Sequence, residues 1–311
     1  MENGSHPYYF YLTMYKDQRN IRYVYFTLVL ILYLVILCLN ISITLVIILD
    51  KMLHQPMYIL IACLSVNSIY GATGLLPKML TDLLLNTHAV SRSACFLQIL
   101  VVYTYGSYEF TILTLMAYDR HVAICEPLKY HSIMTARALT IMVAVALIYP
   151  LCAIGSNVSL AFRLPLCGNE LRKLYCSNWS VVQLSCVDTT LNNIVGMIIT
   201  VVTVFLPLFF ILYSYINILV ICQRKSSDFK RKAMHTCLPH IVTFVNYSIA
   251  VFCEIIFSRY DLPDVVAVIL SLEFLIIPPV LNPLVYGFNF LEIHRRIIFF
   301  LTPLKMSMTP D

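Results

Sequence analysis

Seven apolar runs, each long enough to cross a bilayer, leave this chain few ways to fold. Their approximate limits are 25–49, 57–84, 95–118, 138–162, 194–222, 236–258 and 265–287. About 20 residues rising 1.5 Å each cover the ~30 Å of hydrocarbon, so every run suffices as a helix. In lipid each backbone N–H and C=O must find its partner within the segment, which excludes loose loops. Composition agrees: of 311 residues 60% are apolar and only 12% charged, about half the usual charged share. The chain therefore reads as an all-α membrane protein, a seven-transmembrane helix bundle in a single domain, 1–311. Pro77, Pro150, Pro207, Pro239, Pro278, Pro279 and Pro283 lie in or near span ends, where they predict kinks.

Orientation follows from several weaker signals. The first apolar run is too long for a signal peptide and lacks a small-residue cleavage site, so it reads as a retained span. Asn3-Gly4-Ser5 is a glycosylation sequon, which places residues 1–24 outside the cell. Seven crossings then put the tail, 288–311, in the cytoplasm. Twelve of the 21 Lys and Arg residues fall on the inner side of this arrangement, in the direction of the positive-inside rule. Lys16, Arg19 and Arg22 run against it. In the tail Phe290, Ile293, Ile297 and Leu301 share one helical face, with Glu292, Arg295 and Arg296 on another. That pattern predicts a short amphipathic C-terminal helix on the inner leaflet of the plasma membrane.

Several function classes find no support. No HExxH, GxSxG, phosphate-cradling glycine loop or metal-spaced Cys/His set occurs, so neither an enzyme, a cofactor nor a metal site is expected. A net charge of +5 gives no reason to expect nucleic acid. The two halves show no inverted match of the transporter kind, and Glu109 is the only acid deep inside a span. Glu254 and Glu273 sit nearer the outer ends of their spans. They are open to a ligand amine, to Arg259 or Lys78, or to the outer interface. Of eleven cysteines, only Cys95, Cys167, Cys176 and Cys186 face the oxidising side; four cysteines allow three pairings.

An acid and a base stand side by side at Asp119-Arg120, where the third apolar run ends. Burying either charge alone costs several kcal/mol, so such a pair belongs at a membrane boundary. The whole stretch from Met116 to Cys125 reads MAYDRHVAIC. It resembles the signature MAYDRYVAIC of the odorant-receptor branch of the rhodopsin-like G-protein-coupled receptors, with His121 in place of Tyr. Leu53 to Tyr58, LHQPMY, resembles that family's LHTPMY. Lys232 to His240, KAMHTCLPH, is similar to its KAxSTCxSH, with His235 and Pro239 replacing Ser. Pro278 to Gly287, PPVLNPLVYG, matches its PPxLNPxxYG.

The resemblance implies an odorant receptor that couples to a stimulatory heterotrimeric G protein and raises cyclic AMP. A receptor for a non-odorant small ligand is the alternative within the fold, and a small-solute transporter the alternative outside it. It implies that Asp119 holds Arg120 at rest. Tyr215, Lys232, His240, Asn282, Pro283 and Tyr286 join them in activation and G-protein coupling. Tyr247 fits the family's aromatic pair, whereas Ser248 stands where Tyr is common. It implies disulfides Cys95–Cys176 and Cys167–Cys186. Glu109 is the candidate for an ion site, although Ser68 is neutral where the family carries the partner acid. Helical spacing from these motifs aims Tyr103, Ser107, Thr200, Thr203, Val251, Phe252 and Ile255 into an outer cavity among spans three, five and six. Aliphatic groups mixed with hydroxyls suit a small, mostly apolar ligand fixed by one or two hydrogen bonds.

Overall fold

A computed structural model describes residues 7–14, 21–85, 88–257, 263–289, 293, 295 and 296. The side chains of Lys232 and His235 fall outside the described set, as do Asn3 and most of the tail, including Phe290, Glu292, Ile297 and Leu301.

Among the described residues, seven helices are long and apolar enough to cross a membrane. They are α1 (Arg22–Leu49), α2 (Pro56–Leu85) and α3 (Arg92–Cys125). A short helix, α4 (Tyr130–Ile133), lies at the end that the sequence expects to face the cytoplasm, called inner below and the opposite end outer, and leads to the fourth span, α5 (Ala136–Phe162). Another short helix, α6 (Asn178–Val182), lies in the outer loop. The fifth span is α7 (Thr190–Thr200) continued by α8 (Leu206–Gln223). The sixth and seventh are α9 (Ser227–Phe257) and α10 (Asp264–Asn289). Helix α3 packs against α2, α5, α8 and α9, while α10 closes the ring onto α1, α2 and α9.

The burial pattern is that of a bundle made for lipid. Leu28 and Ile31 on α1, Val145 and Ile148 on α5, and Phe209 and Ile216 on α8 point outward and are exposed. Asn40, Ser65, Asn67, Ser68, Glu109 and Asn282 are buried within the bundle. Lipid offers apolar side chains as good a home as the core, whereas a polar group must find its partner among the helices.

Breaks in the helices have identifiable causes. Pro207 has no N–H to give the Thr203 carbonyl, and the backbone relieves the conflict with a π-helical turn at Val201–Phe205 between α7 and α8. Pro283 likewise leaves the Pro279 carbonyl without its intrahelical donor. Asn40 Nδ2 of α1 donates to that carbonyl at 2.9 Å, so a proline in the seventh span is answered from the first.

Small residues set the closest helix approach. A Cβ at Gly71 would overlap the ring of Tyr105, which is fully buried between α2 and α3. The expected result for Gly71→Ala is a loss of about 1–3 kcal/mol of stability. It should be read as a lower melting temperature of the purified protein and less folded protein in the membrane.

A small sheet caps the outer end. Strand β1 (Tyr9–Leu12) runs antiparallel to β2 (Ala89–Ser91) and parallel to β3 (Glu170–Leu171). Phe10 and Leu12 alternate inward from exposed Tyr9 and Tyr11 and pack with Val90, Phe96 and Leu171. The sequence reading expects no strand: segments of two to four residues are too short to show a period of two.

At the inner face Arg296 Nε lies 2.7 Å from Asp50 Oδ2. Asp50 Oδ1 also accepts from Met52 N in the first inner turn. The start of the tail is thereby tied to the first inner loop.

Candidate functional site: an outer cavity and an inner charge pair on one helix

A cavity of about 180 Å³ opens among α3, α5, α7, α9 and α10. Tyr103, Ser107, Thr200, Thr203, Val251 and Ile255 line it, in keeping with helical spacing. Phe252 does not join the lining. It sits about 100° round the helix from Val251, and its ring packs edge-on against Phe205 at 5.6 Å. The hydroxyls of Ser107, Thr200 and Thr203 each donate to a carbonyl one turn back in their own helix. Their protons are used, so what they offer the cavity is lone pairs.

The floor is aromatic. Phe110 and Tyr247 lie 4.9 Å apart and Tyr247 stacks on Phe274 at 6.1 Å. Tyr247 Oη donates to the Gly106 carbonyl at 2.8 Å, tying α9 to α3. The outer loop forms the roof. Cys176 is bonded to Cys95 at the top of α3, and Cys167 to Cys186 within the loop. Tyr175 Oη donates to Glu254 Oε1 at 2.9 Å, with Lys173 Nζ 3.7 Å from the same oxygen. Burial first, and the Glu254 charge next, raise the Tyr175 hydroxyl above its ordinary value, so it remains a donor. Glu254 thus partners the loop. Lys78, its other candidate partner within the described residues, is bound to Asp82 and to the Ala89 carbonyl.

Sequence reasoning missed the other wall of the cavity. Asn157 on α5, Asn192 and Gly196 on α7, Trp179 on α6 and Phe274 on α10 all line it. The loop residues carry no periodic signal. Asn157 did carry one, as a lone amide in an apolar span.

Beneath the cavity lies a polar centre. Glu109 Oε2 accepts from Asn67 Nδ2 at 2.9 Å, and Oε1 from Asn282 Nδ2 at 2.6 Å. Three helices, α2, α3 and α10, meet on one carboxyl group. Each oxygen accepts one amide hydrogen bond. Ser68 Oγ donates to Leu64 O in its own helix.

At the inner end of α3 Arg120 Nη2 and Nε donate to Asp119 Oδ2 at 2.6 and 3.0 Å. Asp119 is 0% exposed and the Arg120 side chain 16%. The second carboxylate oxygen accepts from Tyr130 Oη of α4 at 2.7 Å, a partner the motif did not reveal. Burial, then the hydrogen bond to Asp119, raise the Tyr130 hydroxyl above its ordinary value, which keeps it a donor. Tyr286 Oη lies 2.8 Å from Thr243 Oγ1 and 3.2 Å from His240 Nδ1, joining α10 to the inner half of α9. Tyr215 is buried on α8, and Pro283 lies within α10.

Comparison with known proteins matches residues 29–303 to the olfactory receptor family. The chain is 34% identical over 266 residues to olfactory receptor-like protein OLF3 of Canis lupus familiaris, covering 84% of this chain and 83% of that protein. It is 32% identical to human olfactory receptor 52D1 over 83% of both chains. It is 35% identical to human olfactory receptor 2AG2 over 83% of this chain and 82% of the other. The chain belongs to the olfactory receptor family.

Proposed function

We propose that the outer cavity binds a small, mostly apolar odorant and that its occupancy loosens the Asp119–Arg120 pair at the other end of α3. Release lets the inner face engage a heterotrimeric G protein of the stimulatory class, which raises cyclic AMP. The observation that carries this reading is the layout of α3. Tyr103 and Ser107 of this one helix line the cavity, Glu109 ties it to α2 and α10, and Arg120 lies near its inner end. A ligand shifts such a bundle only by binding one state better than the other. The contacts able to differ between states are the Tyr247 tie to Gly106 and the Tyr286 tie to His240 and Thr243. We assign activation and G-protein coupling to Asp119, Arg120, Tyr215, Lys232, His240, Asn282, Pro283 and Tyr286.

The same reading places 1–24 outside the cell and 288–311 in the cytoplasm of a single receptor domain at the plasma membrane. Support comes from chemistry: both disulfides lie at the cavity end, and disulfides persist in oxidising compartments. Glycosidase treatment should increase gel mobility for the wild type and leave Asn3→Gln unchanged; a wild type indifferent to the enzyme contradicts a glycan at Asn3.

The test of the cavity is to fill it. Val251 is buried on α9 and lines the pocket. Val251→Trp should abolish the response to any active odorant while leaving basal cyclic AMP and surface expression near wild type. An undiminished dose response in that variant contradicts the assignment.

A further inference from the structure

Two amides on the far wall of the cavity each hold one polar atom without a partner. Asn157 on α5 is 7% exposed and Asn192 on α7 is 8% exposed. Asn157 Oδ1 and Asn192 Nδ2 are sealed from water, and no hydrogen bond satisfies either. Both residues line the cavity. They are also close together. A Cβ built at Gly196 would lie 4.0 Å from Asn157 Nδ2, and Asn192 is one helical turn before Gly196 on the same face. A buried polar atom left unpaired costs the full desolvation penalty of that atom, and two of them on one cavity wall call for a third group between them.

Charge narrows what that group is. The lining carries one carboxylate, Glu254, which Tyr175 and Lys173 already partner. A ligand carboxylate would face Glu254, and a ligand ammonium would meet a carboxylate whose charge Lys173 already offsets. The cavity, about 180 Å³, is a little larger than the ~150 Å³ that accepts benzene, so the ligand is small. The wall needs both an acceptor and a donor from it. Turning either amide over exchanges the roles, but a hydroxyl serves in every setting because it gives one proton and keeps two lone pairs.

We propose that Asn157 and Asn192 form a polar subsite that selects a small neutral alcohol or phenol, whose hydroxyl donates to one amide and accepts from the other. The inference rests on the reading of the cavity as the odorant site. It is tested with the full-length receptor in lipid nanodiscs, reading affinity from the concentration dependence of its melting temperature. The probes are benzyl alcohol, benzyl methyl ether, toluene, benzylamine and benzoate. Benzyl alcohol should bind about tenfold more tightly than the ether, which lacks the proton, and than either charged analogue. Asn157→Leu and Asn192→Leu should each erase that preference while still binding toluene. Each should also raise the melting temperature of the ligand-free receptor, because an unpaired amide is gone; a merely structural asparagine would lower it on replacement.

Equal affinity for alcohol, ether and toluene overturns the subsite and leaves the cavity reading standing. So does a preference for benzylamine or benzoate, or a leucine variant that keeps the alcohol preference. Binding of none of the five by the wild type overturns both. The wild-type series decides without any variant.

Discussion

Replacing Asp119 with alanine is expected to raise basal cyclic AMP about tenfold, and replacing Arg120 with alanine to abolish the odorant response at unchanged surface expression. The carboxylate of Asp119 is fully buried and each oxygen has one partner, Arg120 on one side and Tyr130 of α4 on the other. Removing one member of a fully buried pair costs about 3–5 kcal/mol. Arg120 keeps some exposure, so solvent screening reduces that figure. A loss of about 1.4 kcal/mol from the resting state alone multiplies the active fraction about tenfold. Tyr130→Phe removes one hydrogen bond and should move basal signalling the same way by less, two- to fivefold on the order of 0.5–1 kcal/mol. Arg120→Ala acts in the opposite sense, because the released cation is the group offered to the G protein. Basal cyclic AMP that stays at the wild-type level in Asp119→Ala, or an odorant response that survives in Arg120→Ala, contradicts the latch.

Breaking the Cys95–Cys176 bond should remove most receptor from the cell surface. These cysteines are 81 residues apart and neither is exposed. The bond fixes the outer loop to the top of α3. There Gln98 Oε1 also accepts from Cys176 N at 2.9 Å, and β3 of the same loop pairs with β1. Loss of such a bond costs about 2–5 kcal/mol, more for a long closed loop than for a short one. Cys167–Cys186 is separated by only 19 residues, so Cys167→Ser should do less harm than Cys95→Ser. The double variant Cys95→Ser, Cys176→Ser should be no worse than either single, since one bond is lost in each. Surface immunostaining at 37 °C reads all four, and a Cys95→Ser receptor that reaches the surface at wild-type levels refutes the argument.

What could be read from the residues follows from how local each signal is. An apolar run reports a span by itself, because lipid demands one kind of residue over one length. Helical spacing found Tyr103 and Ser107, Thr200 and Thr203, and Val251 and Ile255, since positions three or four apart share a face. It failed one position further on, at Phe252, where a rotation of about 100° turns the ring to Phe205. The charged end of α3 misled hydropathy. Helix α3 continues to Cys125, past the expected limit at 118, because Asp119 and Arg120 neutralise each other inside it. Helix α9 begins at Ser227, well before the apolar run, since its basic first turns need water rather than lipid. Tyr130 to Asp119, Asn40 to the Pro279 carbonyl and the small outer sheet are agreements between distant segments. No single stretch carries a trace of them.

Signalling depends on one connection, from the filled cavity to the opened inner rim. It is measured most directly as a distance between spin labels at Thr140 on α5 and Arg231 on α9, both exposed near the inner face. An odorant that activates the receptor should lengthen that distance by several ångströms in the wild type and leave it unchanged in Val251→Trp. A wild-type distance that does not move at saturating odorant, while cyclic AMP rises, would contradict the connection.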